Sequence, residues 1–377
     1  MNGHRFYLDH NATAPLRPEA RAAMIAALDV GGNPSSVHFE GRRARALVET
    51  AREQVAALIN AKPLEIVFTS GATEANAWVA SGGWDTILSS GIEHDSVHGP
   101  VAATTARQVA LPVATDGVVA VEEIANFALR DASAAGRTLV MLQMANNETG
   151  IVQPVAEVAH FCRAHGLAIH TDAVQAAGRL PIDFTSLGVD TLSLSAHKIG
   201  GPTGVGALVI RDGTKLATLL AGGGQERRRR AGTENVIGIA GFGAAAAAAR
   251  DLADVPRITA LRDQLEAGIA QLTPQAMVIG RTGVRLPNTT ALAVPGLAAE
   301  TLVIKLDLAG VAVSAGAACS SGKVGVSHAL AAMNLPADVA RSAIRLSLGW
   351  NSSPADVTAF LEIWATVARP RALCAAA

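Results

Sequence analysis

Between residues 60 and 215 the chain repeats one pattern: a short, nearly uninterrupted apolar run, a turn, then a stretch of helical character. The runs are EIVF at 65–68, TILS at 86–89, TLVML at 138–142, LAIH at 167–170, TLSLS at 191–195 and GALVI at 206–210. Helical stretches read at 73–80, from 94 to 106, and at 155–166, where Gly166 supplies a stop. A strand with one wet face alternates apolar and polar residues; a run apolar at nearly every position needs cover on both faces. Such strands separated by helices predict an α/β unit on a mostly parallel sheet.

After Gly224 the character changes. Helical stretches at 234–253 and 257–271 precede strands at 277–279 and 289–293, a helix at 299–308, a strand at 311–314, a helix near 325–333, a strand at 343–347 and a helix at 354–368. This predicts a smaller α+β domain, and the 377 residues exceed what one core usually holds. The expected division is a large domain, 16–253, and a small one made of 1–15 and 254–377. The first 15–20 residues read as extended.

Half of the residues are hydrophobic, 17% are charged and the net charge is −1, which excludes a disordered chain and argues against nucleic acid as the main partner. The three cysteines, Cys162, Cys319 and Cys374, are far apart and form no CxxC pair, so neither a zinc ribbon nor a disulfide scaffold is expected; a reduced, cytoplasmic setting fits. MNGHRFYLDH lacks a signal-peptide pattern, and the longest uncharged stretch, 236–249, falls short of the ~20 residues of a membrane span.

In an open parallel sheet, ligands bind beyond the carboxyl ends of the strands. After EIVF comes Ser70-Gly71-Ala72-Thr73, where small residues open a helix whose first amides suit an anion, or where Thr73 is a plain N-cap. After LAIH, Asp172 is a carboxylate at the end of a buried strand, either a helix cap or a functional charge. After TLSLS, Ala196-His197-Lys198 puts an imidazole and an ammonium together. The chain has only five lysines, and Lys62, Lys215, Lys305 and Lys323 sit in turns, on an amphipathic helix or in a loop; Lys198 is the candidate for covalent chemistry. Glu93-His94, with His98 one turn on and Asp95 beside it, is a weak metal pattern without a third ligand at convincing spacing. Asn146-Asn147 is a turn or an amide for a ligand. Cys319 lies among glycine and serine in SAGAACSSG, the setting of a reactive thiol rather than a packed one. Arg227 to Arg230 form a solvated face, an anion site or a subunit contact, and Arg345, inside the apolar strand AIRLSL, needs a carboxylate from the protein or a substrate. A reactive lysine, an aspartate, a helix-end anion site and an arginine for a carboxylate are what pyridoxal 5'-phosphate (PLP) needs to act on an amino acid.

These segments, taken together, resemble the cysteine desulfurases, the NifS/IscS-like group of the class V aminotransferases. The likeness runs nearly end to end through YLDHNATAPL (7–16), GNPSSVH (32–38), EIVFTSGATEAN (65–76), NNETGIVQP (146–154), HTDAVQAAGRLPID (170–183), LSAHKIGGPTGVGAL (194–208), GGGQE…RAGTEN (222–235), SAGAACSSG (314–322) and SAIRLSLG (342–349). The resemblance implies the aspartate aminotransferase-like fold, type I of the PLP enzymes, and a homodimer. It implies that Lys198 carries PLP as a Schiff base, Asp172 pairs with the pyridine nitrogen, Gln175 bonds the ring oxygen, and His94 stacks on the ring and assists catalytic proton transfers. Gly71, Ala72, Thr73, Ser195 and His197 would hold the phosphate, and Thr233 the phosphate of the partner subunit's cofactor. Asn11, Asn147 and Arg345 would bind the substrate, L-cysteine. Cys319 would take its sulfur as a persulfide, release L-alanine, and pass the sulfur to an acceptor protein for iron–sulfur or thio-cofactor synthesis. No metal site is implied.

The sequence departs from that pattern in three places: KVGVSH after the cysteine, Arg228 where glycine is common, and LGWNSS without the usual Arg or Phe after the glycine. The rival readings are a selenocysteine lyase or another class V aminotransferase, for which Cys319 has no use in a transaminase, and a non-catalytic sulfur-trafficking protein, which has no use for Lys198, Asp172 and His94.

Overall fold

The computed structural model describes residues 5–130, 136–316 and 327–368; Cys319, Lys323 and Cys374 lie outside them. The strands are β1 (Phe6–Tyr7), β2 (Ile66–Thr69), β3 (Thr86–Ser90), β4 (Arg107–Leu111), β5 (Thr138–Met141), β6 (Ala168–Asp172), β7 (Thr191–Ser195), β8 (Gly206–Ile210), β9 (Met277–Ile279), β10 (Thr289–Ala293), β11 (Val311–Ala312), β12 (Ser314–Ala315) and β13 (Ala343–Ser347). The helices are α1 (Pro18–Leu28), α2 (Phe39–Leu58), α3 (Ala72–Ala80), α4 (Asp95–Ala102), α5 (Val121–Arg130), α6 (Val155–Ala164), α7 (Phe184–Leu187), α8 (Val236–Ala249), α9 (Val255–Leu272), α10 (Ala299–Leu308), α11 (His328–Ala332), α12 (Ala337–Ser342) and α13 (Pro354–Val367). Among the described residues no helix is long and apolar enough to cross a membrane.

The main sheet has seven strands in the order β2-β8-β7-β6-β5-β3-β4. All pairings between β7 and β4 are parallel, and β8 runs antiparallel to both its neighbours. The apolar runs are explained by cover on both faces. Ile66, Phe68, Leu88, Val140, Ile169, Leu192 and Val209 point into a cluster with α2, α6 and α8. Val67, Ile87, Leu139, Met141, Leu208 and Ile210 point the other way, against α3 and α4. Helix α8 is apolar on every side because it is buried against α1 and α2, and Gly243 permits the contact: a Cβ there would lie 2.5 Å from the backbone of Ala51.

A second sheet, β12-β13-β10-β9, is antiparallel and packs with α9, α10 and α13 over its own core, in which Leu292, Ile344, Leu346, Phe360 and Trp364 are fully or almost fully buried. The N-terminal strand joins this half: β1 pairs with β11, and Asp9 bridges to Ser347.

The fold differs from expectation at several points. The helix expected over 94–106 ends at Ala102, and Arg107–Leu111 is an edge strand whose mostly exposed, polar residues hide the pattern. The strand expected at 311–314 is two pieces in two sheets, split at Val313. Helix α3 begins one residue early, so Gly71 rather than Thr73 is its N-cap. Helices α1, α5, α7 and α12 have no counterpart in the sequence reading.

The arginine run is not one unit. Arg230 pairs with Glu74 at 2.9 Å and Arg227 donates to the Leu64 carbonyl, while the preceding Glu226 is buried with Arg52 at 2.8 Å. Glu226 Oε2 also accepts from Phe68 N–H, and Arg52 donates to Ile66 O, so the pair pins β2 to the segment after Gly224. Glu226, Arg227 and Arg228 take positive φ of 44°, 55° and 63°, which gives the glycine common at position 228 its physical reason. Replacing Glu226 with Ala leaves the Arg52 guanidinium buried without its carboxylate, and the expected loss of folding stability is about 3 kcal/mol or more; a thermal or urea melt showing under ~1 kcal/mol would contradict the pinning role.

Candidate active site

A cavity of about 470 Å³ opens at the carboxyl ends of β2, β3, β5, β6 and β7, where the second sheet faces the first. Its size suits a small organic ligand. Its lining contains Asn11, Gly71, Ala72, Thr73, His94, Asn147, Asp172, Gln175, Ser195, His197, Lys198 and Arg345, so the fold brings together nearly the whole predicted set. Thr233 is not in it; that residue lines an adjoining cavity of about 200 Å³, which shares Ser70 and Gly204 with the first. Cys319 lies outside the described residues.

The anion end is built from β2 and α3. The first amides of a helix have no acceptor within it, and nine-residue α3 points its N-terminus at the cavity through Gly71, Ala72 and Thr73. A Cβ on Gly71 or on Gly204 would meet nothing within 4 Å, so both glycines leave open room beside the lining. Behind them β8 comes so close that a Cβ on Gly206 would sit 2.7 Å from the Gly71 backbone. His197 follows Ser195 on the turn after β7, with Nδ1 3.1 Å from Thr13 Oγ1. Burial, reinforced by the Lys198 charge, pushes its pKa down to about 4.

Lys198 closes the same turn, and its Nζ donates to the carbonyls of Asn11 (2.6 Å) and Ala12 (2.9 Å). Asp172 ends β6 and is 8% exposed. Its Oδ1 accepts from Val174 N–H at 2.9 Å and its Oδ2 from the Asn76 amide at 2.8 Å. Residues 174–179 form turns rather than the helix that Asp172 was expected to cap; the carboxylate holds the first of them through Val174 N–H and lines the cavity as well. Gln175 presents a donor: Arg179 occupies its Oε1, and its Nε2 donates to Asn11 O at 3.1 Å.

The wall opposite comes from the second sheet. Arg345 in β13 is 4% exposed; Nη2 donates to Asp9 Oδ1 at 2.7 Å and Nη1 to Asn147 O at 3.1 Å. Its Nε is buried and has no hydrogen-bond partner among the described residues. The strand arginine therefore has its protein carboxylate, Asp9, and still faces the cavity. Asn11 ties the two walls: Nδ2 donates to Asn147 O and Thr289 Oγ1, and Oδ1 accepts from Asn288.

His94 caps α4, with Nδ1 accepting from Ser96 N–H at 3.1 Å. Burial pulls its pKa below the usual imidazole value, the Asp172 charge opposing and Lys198 assisting. His98 does not join it; its ring packs edge-on against His328 at 4.9 Å. Sequence reasoning missed Asn76 and Ser96, and noted Glu93 only beside His94 in a weak metal pattern. Glu93 is fully buried, its pKa pushed up to about 8 chiefly by burial, with Oε1 accepting from Gln143 N–H. The one available signal was their place: Glu93 lies in the turn after β3, and Asn76 and Ser96 lie in α3 and α4, the helices that follow β2 and β3.

The departures also find places. Ser327 donates to buried Glu148 at 2.5 Å and caps α11, His328 lies 2.8 Å from Glu93 O, and Trp350 donates to Pro15 O while Arg17 lies over its ring.

The residues fit PLP. The helix end with two open glycine positions suits its phosphate, Asp172 its ring nitrogen, the Gln175 donor its ring oxygen, and the Arg345 guanidinium on the cavity wall an additional anion.

Comparison with known proteins agrees with the architecture. The aminotransferase class-V model matches residues 6–360. A cysteine desulfurase of Cereibacter sphaeroides is 42% identical over 374 residues, covering 95% of this chain and 94% of that protein. The cysteine desulfurase IscS of Dictyoglomus turgidum is 39% identical over 370 residues, covering 95% and 93%. The solved NifS-like protein of Rickettsia africae superposes with a TM-score of 0.90 at 34% identity, covering 97% of this chain and 99% of the other. Matched over almost its whole length, with the α/β architecture of those proteins, the chain belongs to the class V aminotransferase family.

Proposed function

We propose that the protein is a PLP-dependent cysteine desulfurase that converts L-cysteine to L-alanine and places the sulfur on Cys319. The observation that carries the reading is the convergence of Lys198, Asp172, Gln175 and Arg345 on one cavity. PLP, when bound, withdraws electrons from the substrate Cα and so weakens its Cα–H and Cβ–S bonds. Lys198 would anchor it, and Asp172 would hold a proton on its ring nitrogen.

The protein's own groups do the rest. Arg345 and the Asn147 side chain orient the substrate carboxylate. The Lys198 amine, freed when substrate takes its place, carries the Cα proton. His94 lines the same cavity with its ring proton on the nitrogen away from Ser96. The Cys319 thiolate attacks the substrate sulfur: an S–S bond forms, the Cβ–S bond breaks, and its electron pair ends as a C–H bond when Cβ is protonated, giving alanine. Cys319 is assigned this role by the SAGAACSSG motif. Cys162 cannot substitute, since it is buried in α6 and its pKa is pushed up to about 12 by burial first and the Asp190 charge second.

The finer parts of the reading belong to the same proposal. The large unit is 16–253 and the small one 1–15 with 254–377; a core cluster drawn only from 1–15 and 254–377 supports the division, while Ile279, Ala291, Ala293 and Ala343 pack across it into the large unit's cluster. The enzyme works as a homodimer in which Thr233, lying beside rather than in its own cavity, serves the partner's PLP phosphate. The sulfur goes to an acceptor protein in a reducing, cytoplasmic setting.

Cys319→Ser should abolish sulfide release yet leave the visible spectrum of bound PLP unchanged; undiminished desulfurase activity would contradict the assignment. Arg345→Lys should raise KM for L-cysteine about tenfold or more with a smaller change in kcat, because a point charge replaces a fork held by Asp9. Lys198→Ala should leave no PLP attached after borohydride reduction, and retained attachment by mass spectrometry would contradict its role. A protein that stays colourless with added PLP would favour the non-catalytic alternative.

A further inference from the structure

Asp172 and His94 come from different elements, yet one side chain reaches the support of both. Asn76 in α3 is completely buried. Its Nδ2 donates to Asp172 Oδ2 at 2.8 Å and to Ser96 Oγ at 2.9 Å. Its Oδ1 lies 2.9 Å from His170 Nε2, and His170 Nδ1 lies 2.9 Å from Thr191 Oγ1.

The proton positions follow in order. A carboxylate only accepts, so the amino end of Asn76 faces Asp172 and its oxygen faces His170. An amide oxygen also only accepts, so His170 carries its proton on Nε2. Burial pushes the pKa of His170 down to about 3, so the ring is neutral and Nδ1 accepts from the Thr191 hydroxyl. Ser96 Oγ has accepted from Asn76, so its own proton goes to His94 Nδ1, 2.9 Å away. His94 is left with its ring proton on Nε2.

We propose that Asn76 is a positioning residue for the desulfurase reaction, fixing Asp172 for the cofactor nitrogen and, through Ser96, the tautomer and orientation of His94, while His170 and Thr191 fix which way its amide faces. The inference rests on the PLP reading above. It explains why a polar side chain lies completely buried in α3, and why a neutral histidine is buried at the centre of the main sheet, on β6. A completely connected buried network of this kind holds one arrangement, because any single flip leaves a buried donor or acceptor unpaired.

The test is a PLP titration of the apo-protein followed by a pH profile of the holoenzyme. Asn76→Ala takes from Asp172 one of its two donors, so its PLP dissociation constant should rise about tenfold or more. Ser96→Ala leaves the Asp172 donor in place, so the PLP dissociation constant should stay within about twofold of the parent's. It removes a donor that favours neutral His94, so the acid limb of kcat/KM should move to higher pH. The charged groups facing His94, namely Asp172, Lys198, Asp95 and His328, are the same in that variant. Ser96→Ala changes one hydroxyl and keeps the Ser96 N–H, so it decides the matter if Asn76→Ala does not fold. Asn76→Ala binding PLP as tightly as the parent would overturn the proposal, as would an unmoved acid limb in Ser96→Ala. A parent protein that binds no PLP would overturn the cofactor reading itself.

Discussion

The site depends on a short strap of backbone, residues 9–14, laid between the two sheets, which also meet through Ile279, Ala291, Ala293 and Ala343 of the second in the core of the first. Asn11 is its centre. The N–H donates to Ser347 Oγ, the side chain joins Asn147 on one side to Asn288 and Thr289 on the other, and the carbonyl accepts from both Lys198 and Gln175. Every polar atom of this buried residue is used, so the lysine amine and the glutamine donor are referenced to the same carbonyl. A displacement of the strap would move Lys198, Gln175 and, through Asp9, Arg345 together. Two rigid sheets and one fully bonded strap are a way to hold catalytic groups from distant parts of the chain in register.

Charge is placed with the same economy. Arg179 is buried, and its guanidinium donates to the backbone and side-chain oxygens of Gln175 and to Lys198 O, all of them neutral groups. Burial and the nearby Arg345 lower its pKa to about 10, which still leaves it charged at neutral pH. Lys198 and Arg345 line the cavity and Arg179 lies behind Lys198, so cationic groups stand ready for a ligand bearing a phosphate and a substrate bearing a carboxylate. Neutral groups complement this: His197 and His170 are both held uncharged by burial, and neither adds to the positive charge already there.

The main sheet was legible because its strands are covered on both faces, which makes them apolar at successive positions. The edge strand β4 was not, because an edge exposes Arg107 and Gln108 and breaks the pattern. Lys198, Asp172 and Gly71 could be found since each follows an apolar run, where the geometry of a parallel sheet puts ligands. Arg345 was legible as a charge inside an apolar strand, but its partner Asp9 was not, because 336 residues separate them. Asn76, Ser96 and His170 escaped for the same reason: what marks them is who they touch across β2, β3, β6 and β7. The positive φ at Arg228 shows the reverse case, a sequence oddity whose meaning needed the backbone.

The central claim is that this cavity breaks the Cβ–S bond of L-cysteine and delivers the sulfur to Cys319. The most direct measurement is intact-protein and peptide mass spectrometry of the holoenzyme after one turnover with L-cysteine in the absence of reductant, with the amino-acid product quantified in the same sample. The account predicts one added sulfur atom on the peptide carrying Cys319 for each alanine formed. Alanine without added sulfur on that peptide, or pyruvate in place of alanine, would contradict it.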